Sequence, residues 1–275
     1  MRYYDILLHL TDDTRSREKA ATALAVAKRF DARVKAVYTL PFPEQLYYMG
    51  EYVPPSFFEM QREEARQKAE EILNQFEQDA RHAGVAADRT ISQEAPIDVL
   101  ARLGATCDLA VVGQPNPDLD RGRAETGSLP PDLALALGRP VLVVPYIGRY
   151  PSPGDTVMVA WNGTREAARA VHDALPLLKA ARNVTIFCID PDPAQSESAT
   201  ALVKHLLHAG VAAKAKHTLS GDVAVGDVLL SALADAGADL LVMGAYGHSR
   251  LRETVFGGVT ATLLNSMTVP VLLSN

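Results

Sequence analysis

The chain contains the stretch Cys107-Asp108-Leu109-Ala110-Val111-Val112-Gly113 and repeats it as Ala238-Asp239-Leu240-Leu241-Val242-Met243-Gly244. In both stretches an aspartate precedes a short apolar run that ends in glycine, which is typical of a strand buried on both faces of a parallel sheet. Further segments match in the same order: Asp5-Ile6-Leu7-Leu8 with Asp155-Thr156-Val157-Met158, His82-Ala83-Gly84-Val85 with His208-Ala209-Gly210-Val211, Asp98-Val99-Leu100 with Asp227-Val228-Leu229, and Arg139-Pro140-Val141-Leu142 with Val269-Pro270-Val271-Leu272. Such an ordered series of matches indicates an internal duplication.

Each copy is predicted to alternate buried strands with amphipathic helices. In the second copy the expected elements are a strand at Thr156–Trp161, a helix with Ala167, Ala168, Val171, Leu175 and Leu178 on one face, a strand at Val184–Ile189, a helix at about Ser196–His208, a strand at about Ala213–Leu219, a helix at about Asp227–Ala236, a strand at Leu240–Gly244, a helix at about Val259–Ser266 and a strand at Val269–Leu273. Helical crossovers between buried strands imply a parallel sheet that is covered on both faces. We therefore expect α/β architecture, with each copy a doubly wound, five-stranded parallel sheet flanked by about four helices, as in Rossmann-like folds.

The segment Gly148-Arg149-Tyr150-Pro151-Ser152-Pro153-Gly154 is predicted to join the two copies, because glycine and proline interrupt regular structure. This places an N-terminal domain at residues 1–147 and a C-terminal domain at residues 148–275. A length of 275 residues fits two domains of this size.

Composition narrows the function classes. The chain has 27 Lys and Arg against 33 Asp and Glu, so its net charge of −6 disfavours nucleic acid as a partner. The two cysteines, Cys107 and Cys188, fit no metal or redox spacing and are expected to pack in the core. No apolar run approaches the roughly 18 residues of a membrane span, and the N-terminus enters a strand without a signal sequence. A cytoplasmic protein without a membrane partner is expected.

The loop after the fourth strand of the second copy carries the strongest functional signal. It reads Gly244-Ala245-Tyr246-Gly247-His248-Ser249-Arg250-Leu251-Arg252-Glu253-Thr254-Val255-Phe256-Gly257-Gly258-Val259-Thr260 and leads into a helix. Glycines allow backbone N–H groups to approach an anion closely, and the helix N-terminus adds positive partial charge. The side chains of His248, Arg250 and Arg252 add donors. The residues themselves therefore predict a phosphate-binding loop.

With its spacing Gly-x2-Gly-x9-Gly-Gly, this loop resembles that of the universal stress protein family, whose nucleotide-binding members have Gly-x2-Gly-x9-Gly-(Ser/Thr). The resemblance extends over both copies, as in tandem members with an adenine nucleotide alpha hydrolase-like fold. It implies a cytoplasmic stress-response module that binds ATP or a related adenine nucleotide in its C-terminal domain, and it allows a magnesium ion beside the phosphates. The residues that it assigns to the nucleotide are Ala160, Asn162, Cys188, Gly244, Gly247, His248, Arg250, Gly257, Gly258, Val259 and Thr260.

This second copy departs from the family pattern in two places. Gly258 stands where the pattern has Ser or Thr, so one hydroxyl is missing, and nearby Thr260 is no assured replacement. Asn162 follows the first strand where ATP-binding members place an Asp against the nucleotide. Cys188 occupies the position whose backbone groups hold adenine in the family. No paired acid and base indicate an enzyme, so weak ATP hydrolysis is the most that we expect.

The same loop of the first copy has diverged. Asn116 replaces the second glycine, and the flanking Pro115 and Pro117 each lack an N–H group that a phosphate would use. Three acidic residues of the loop, Asp118, Asp120 and Glu125, would repel phosphate. Gly127-Ser128 keeps the end of the motif and Asp12 the acidic position after the first strand. Nucleotide binding is nevertheless expected to be weaker here than in the second copy.

A different class of function fits other features. Residues 42–58 hold six aromatic residues and form an insertion between the second strand and second helix of the first copy. This segment either packs over the domain interface or covers an apolar ligand or a partner surface. The alternative to nucleotide binding is therefore an interaction or scaffold protein, with an apolar ligand beneath this insertion.

Family resemblance also implies a partner arrangement. It pairs the last strands of the two copies, Val141–Val144 and Val269–Leu273, in an internal pseudo-dimer, which would protect two apolar edges. Association of two chains into a homodimer is left open.

Overall fold

The computed structural model describes residues 2–13, 15–40, 55–115, 129–245 and 258–275. The strands in these ranges are β1 (Asp5–Leu10), β2 (Arg33–Thr39), β3 (Ala87–Ser92), β4 (Leu109–Gly113), β5 (Val141–Val144), β6 (Thr156–Ala160), β7 (Asn183–Ile189), β8 (Ala213–Thr218), β9 (Leu240–Gly244) and β10 (Val271–Ser274). The helices are α1 (Ser16–Phe30), α2 (Pro55–Ala83), α3 (Pro96–Gly104), α4 (Leu129–Ala136), α5 (Arg165–Asp173), α6 (Leu175–Ala180), α7 (Pro193–His208), α8 (Val225–Asp235) and α9 (Val259–Ser266).

One sheet of ten strands contains both halves of the chain, in the order β3-β2-β1-β4-β5-β10-β9-β6-β7-β8. Neighbouring strands are parallel within each half, and only β5 and β10 pair antiparallel, with Leu142 opposite Leu272. The predicted α/β class and the mostly parallel sheet are confirmed. Because the two halves meet through an antiparallel pair, the carboxyl ends of β1–β5 lie at one end of the sheet and those of β6–β10 at the opposite end.

The aspartates of the repeated stretch have the same structural role in both halves. Asp108 Oδ2 accepts hydrogen bonds from the backbone N–H groups of Tyr4, at 2.7 Å, and Asp5, at 3.0 Å. Asp239 accepts from the N–H groups of Gly154, Asp155 and Thr156 at 3.0 to 3.1 Å. Each carboxylate thus fixes the start of the first strand of its own half, at the point where backbone donors have no strand partner.

Both faces of the sheet are buried along its central strands, whereas the edge strand β8 is largely exposed. Along β1 the side chains of Ile6 and Leu8 lie in one apolar layer and that of Leu7 in the other, all fully buried. Helices α1, α2, α5, α6 and α7 cover the first face, and α3, α4, α8 and α9 cover the second. Each layer contains residues of both halves, so the apolar core is continuous across the β5–β10 junction.

Polar contacts also join the halves. The hydroxyl of Tyr3 donates to the backbone oxygen of Asp173 at 2.8 Å. The buried side chain of Gln114, which follows β4, donates to the backbone oxygen of Leu264 in α9 at 2.7 Å. Because these groups are withdrawn from water, each bond satisfies a polar atom that would be costly to leave unpaired.

The single helix predicted around Ala167–Leu178 is wrong, because α5 and α6 are separate helices that meet at Ala174. Pro176 lacks the N–H group that a continuous helix would direct back to His172, and its ring disfavours helical backbone in the preceding turn. The two helices still bury the same apolar face, since Val171, Leu177 and Leu178 are all buried.

Several element boundaries also differ from the prediction, most of them by one or two residues. Helix α7 begins at Pro193 rather than near Ser196, because Asp192 and Gln195 form a reciprocal capping box at its start. Strand β10 spans Val271–Ser274 rather than Val269–Leu273. Helix α2 begins at Pro55, so Phe57 and Phe58 belong to this helix and not to the insertion. The remaining insertion residues, 42–54, lie outside the described ranges.

No helix in the described ranges combines the length and the apolar composition that a membrane span requires.

Candidate functional site

Three strand ends of the C-terminal half converge at one end of the sheet. Strand β6 ends at Ala160 and lies between β7 and β9, and β9 ends at Gly244. Since β9 and β10 are parallel, α9 must return from the carboxyl end of β9, so Gly258 and the first turn of α9 lie at this end as well. The structure therefore brings Ala160, Asn162, Gly244 and Gly258 to the same end of the sheet, where ligands bind in open α/β folds.

Gly244 is fixed by close packing rather than by a special backbone angle. A Cβ atom at this position would lie 2.6 Å from the backbone nitrogen of Ala167 and 2.6 Å from the carbonyl carbon of Glu166. The first turn of α5 therefore packs directly on the end of β9. At the corresponding Gly113 of the N-terminal half, a Cβ would instead meet the side-chain Cδ of Lys19 at 2.8 Å.

Replacing Gly244 with Ala should lower the free energy of unfolding by about 2 kcal/mol, because backbone atoms of α5 must move to admit a methyl group. Gly113→Ala is the matched control, and it should cost less because the flexible Lys19 stem that it meets can shift while the ammonium group stays beside Asp13. Urea unfolding of both variants measures the difference. Equal costs would contradict direct packing of the α5 backbone on Gly244.

Asn162 organises the loop that follows β6. Its Oδ1 accepts hydrogen bonds from the backbone N–H of Thr164 at 3.2 Å and from the Thr164 hydroxyl at 2.8 Å. The Thr164 hydroxyl in turn caps α5 by accepting from the N–H of Ala167. The exposed Asn162 thus holds the loop in place through hydrogen bonds to Thr164. Its neutral amide oxygen is sufficient for this role, so no carboxylate is needed.

Cys188 lies inside the sheet rather than in an open site. Its side chain is 3% exposed and packs in the apolar layer under α5 to α7. Burial raises the pKa of its thiol, so the uncharged form is favoured. The thiol of Cys188 is therefore not available to a ligand at the end of the sheet.

The first turn of α9 presents backbone donors. Gly258 is its N-cap residue, and no side chain caps the helix there. The first N–H groups of any helix have no partner within it, so those after Gly258 can bind an anion. Val259 is partly buried, and Thr260 is buried. Four other predicted ligand residues lie outside the described ranges: Gly247, His248, Arg250 and Gly257.

Glu166 is a residue of this region that the sequence patterns do not single out. It is 7% exposed and lies against Gly244 at the start of α5. Burial acts to raise the pKa of its carboxyl group, but hydrogen bonds, led by the one from Arg165 at 2.6 Å, leave it lowered overall. An acidic residue in a first helical turn is common, so its sequence position gave no sign of its burial.

The corresponding end of the N-terminal half is occupied by an ion pair. Lys19 Nζ lies 2.7 Å from Asp13 Oδ2 and 3.0 Å from the hydroxyl of Thr11, and the Lys19 side chain is 4% exposed. Burial acts to raise the pKa of Asp13, yet the charge and hydrogen bond of Lys19 lower it overall. Asp12, which the sequence indicates as the acidic position, is exposed instead. The predictions for residues 116–128 of the first copy lie outside the described ranges.

Metal-binding side chains do not cluster in the part of the chain that the structure describes: no group of three or more His, Cys, Asp and Glu residues there could hold an ion.

Comparison with known proteins agrees with this arrangement. Residues 154–275 match the model of the universal stress protein family. Universal stress protein Slr1230 from Synechocystis sp. is 25% identical over 218 residues, which cover 75% of this chain and 71% of that protein. The residues that match the family model therefore include every described strand and helix that forms the candidate site.

Solved structures with low sequence identity share the fold. A universal stress protein from Archaeoglobus fulgidus superposes with a TM-score of 0.78 at 16% identity, over 98% of this chain and 96% of that one. A putative universal stress protein from Pseudomonas aeruginosa gives 0.59 at 13% identity, over 99% and 93%. These structural similarities establish the fold. The family assignment rests instead on the family model and on the curated relative. Residues 154–275, the C-terminal half of the chain, are therefore assigned to the universal stress protein family.

Proposed function

We propose that the C-terminal half binds ATP or a related adenine nucleotide and acts as a cytoplasmic stress-response module. The observation that carries this proposal is the position of Gly244 and of the first turn of α9, which lie at the same end of the sheet as the ends of β6 and β7. A phosphate chain at this place would meet backbone N–H groups and the positive end of the α9 dipole. The stress role and the cellular location rest on family membership.

In the proposed complex, different parts of the nucleotide contact the ends of three strands. The phosphates would lie over the glycine-rich loop and the first turn of α9, with His248 and Arg250 as charged donors. The base and ribose would lie beside Ala160, Asn162 and the backbone of Cys188. Glu166, which is buried beside Gly244, adds a negative charge next to the phosphates. Although Arg165 already pairs with this carboxylate, we propose that nucleotide binds with magnesium, which the family resemblance allows beside the phosphates.

We propose that the N-terminal half is a diverged copy of the C-terminal half and its internal partner. Its Lys19–Asp13 pair lies at the strand ends that correspond to the nucleotide site. Lys19 is neutralised by Asp13 and packs against Gly113, so its charge is not available to a phosphate. Pairing of β5 with β10 supports the proposal that the two halves form an internal pseudo-dimer. Binding, rather than turnover, is proposed throughout.

ATP with magnesium should bind the purified chain with measurable heat in titration calorimetry. Gly247→Val should weaken that binding about tenfold or more, because a branched side chain would block backbone donors of the loop. The matched control is Asn116→Val, the same change at the corresponding position of the first copy, which should leave ATP binding unchanged. Gly258→Ser restores the family hydroxyl and should tighten binding several-fold.

The alternative is an interaction protein that binds no nucleotide, and the absence of a hydroxyl at Gly258 favours it. Two results together would establish it against our proposal: no nucleotide in the material released from the denatured protein, as read by mass spectrometry, and no heat with millimolar ATP. Residues 42–54, beneath which an apolar ligand is predicted, lie outside the described ranges, so that assignment stays a prediction.

A further inference from the structure

A cavity of about 160 Å³ lies between α1 and α2 of the N-terminal half, beside the end of β1. It is separate from the proposed nucleotide site, which lies at the opposite end of the sheet. Helix α1 contributes one wall, α2 contributes the other, and β1 contributes the floor. The lining residues are Leu10, Asp13, Ser16, Arg17, Ala20, Ile72, Gln75, Phe76 and Asp79.

The interior of this cavity is apolar. Leu10, Ala20 and Phe76 are at most 3% exposed, and the partly buried Ile72 completes the apolar lining. The gap exists because the α1 side chain facing α2 at position 20 is only a methyl group. A closed and wholly apolar cavity of about 150 Å³ accepts benzene in a well-studied engineered protein. The cavity between α1 and α2 has a similar volume but opens at a polar mouth, so a single six-membered ring with one polar substituent is the size that fits here.

The polar groups at the mouth are already balanced. Asp13 is paired with Lys19 at 2.7 Å, and Arg17 Nε lies 3.9 Å from Asp79 Oδ2. Gln75 Nε2 donates to Asp79 Oδ1 at 3.0 Å. With each carboxylate beside a cation, the cavity has no unpaired charge to attract an ion. A carboxylate can accept several hydrogen bonds, however, so the partly exposed Asp79 can still accept from a neutral donor.

We propose that this cavity is a binding site for a neutral, monocyclic aromatic molecule that carries one hydrogen-bond donor, such as a phenol. The ring lies against Leu10, Ala20 and Phe76, where it loses contact with water. Its hydroxyl points to the mouth and donates to Asp79. A charged ring is disfavoured because the balanced mouth offers no counter-ion to replace its hydration.

The probes for this site are 4-fluorophenol and fluorobenzene, each titrated with the full-length protein and observed by fluorine NMR. Saturable binding of both is expected, with 4-fluorophenol the tighter. Ala20→Leu should weaken both probes about tenfold or more, because the larger side chain fills the space that the ring needs. Ala21→Leu is the matched control: Ala21 is exposed on the same helix and should leave binding unchanged.

Asp79→Asn tests the polar contact by itself. Since hydrogen bonds to charged acceptors are stronger than those to neutral ones, this variant should weaken the binding of 4-fluorophenol about fivefold and leave the binding of fluorobenzene unchanged. If Ala20→Leu does not keep the wild-type circular dichroism spectrum, Ile72→Phe closes the cavity from α2 and should have the same effect. Absence of saturable binding of both probes to the wild-type protein, or equal binding by the closed and wild-type cavities, overturns the proposal.

Discussion

Between about pH 7.5 and about pH 4.5, the wild-type chain should lose roughly 2 to 3 kcal/mol more stability than the variant His9→Val. His9 is 4% exposed within β1, and its Nε2 lies 2.8 Å from the hydroxyl of Thr39. Burial, and then the charge of Lys19, lower its pKa from 6.5 to about 3, although the charge of Asp13 acts in the opposite direction. The folded chain therefore holds His9 uncharged.

The direction of the pH effect follows from proton binding. The unfolded chain takes up a proton at His9 as the pH falls through about 6.5, while the folded chain takes it up only near pH 3. Stability is therefore complete above pH 6.5 and is lost progressively between these two values. Val is the residue at the corresponding position of the second half, Val159, which is also buried, so the replacement suits this place in the fold.

Urea unfolding of both proteins at the two pH values measures this effect. Near pH 7.5 the variant should be less stable than wild type by about 1 to 3 kcal/mol, because Thr39 loses a buried partner. His82→Gln, at an exposed position near the end of α2, is the control and should follow the wild-type pH dependence. An equal difference between wild type and His9→Val at both pH values would refute a buried, uncharged His9.

Replacing Lys19 with Met should lower the free energy of unfolding by about 3 kcal/mol at pH 7, since it leaves the carboxylate of Asp13 without its cation. Asp13 is partly exposed, so water reduces this cost below that of a fully buried charge. Its remaining partners are the Thr11 hydroxyl and the backbone N–H of Arg15, both neutral. Chemical unfolding at pH 7 measures the loss.

Two further variants identify its cause. Adding Asp13→Asn to Lys19→Met should restore most of the lost stability, because no unpaired charge then remains. Lys68→Met removes the cation of the exposed Lys68–Glu71 pair, and should cost less than about 0.5 kcal/mol. If the double variant is no more stable than Lys19→Met alone, lost packing of the lysine stem explains the effect instead.

These two experiments address one difference between the halves. The N-terminal half holds His9, Lys19 and Asp13 around the end of β1. At the corresponding positions, the C-terminal half has Val159, Arg169 and Gly163, and the Arg169 side chain pairs instead with Asp173 at 2.9 Å. The end of β1 therefore has an ion pair with a buried lysine, whereas the end of β6 has the exposed Gly163 at the position that corresponds to Asp13.

Local patterns are sufficient for most of the strands. Strand β9 and helix α9 have the predicted bounds, because apolar runs with flanking glycine or proline depend on neighbouring residues in the sequence. The pattern over Ala167–Leu178 predicts one helix, although the structure has two. Both helices bury the same face, so the apolar spacing is the same with or without the break between them. The predicted insertion extends to Phe58, although α2 already includes that residue. The aromatic residues and prolines before Phe58 show no helical period that would mark the start of α2.

The candidate site is predictable where it depends on backbone. Glycine spacing located the loop, and the strand order brought Ala160, Asn162 and Gly244 to one end of the sheet. Burial of Glu166 and the pairing of Lys19 with Asp13 were not predictable, because each depends on which side chains from different elements share a space. The cavity between α1 and α2 has the same origin, since Ala20 is distant in sequence from Ile72 and Phe76.

The amino-acid order alone predicts the duplication, the glycine-rich loop and the α/β class, of which the fold confirms the class, because these follow from hydrophobic periodicity and from residues adjacent in the chain. Tertiary structure alone showed that Gly244 supports α5, that Lys19 is neutralised by Asp13, and that a ring-sized space remains between two helices. The physical reason is that burial and charge pairing depend on distances between elements. Those distances are set by the packing of the whole sheet and its helices, so a local sequence pattern does not predict them.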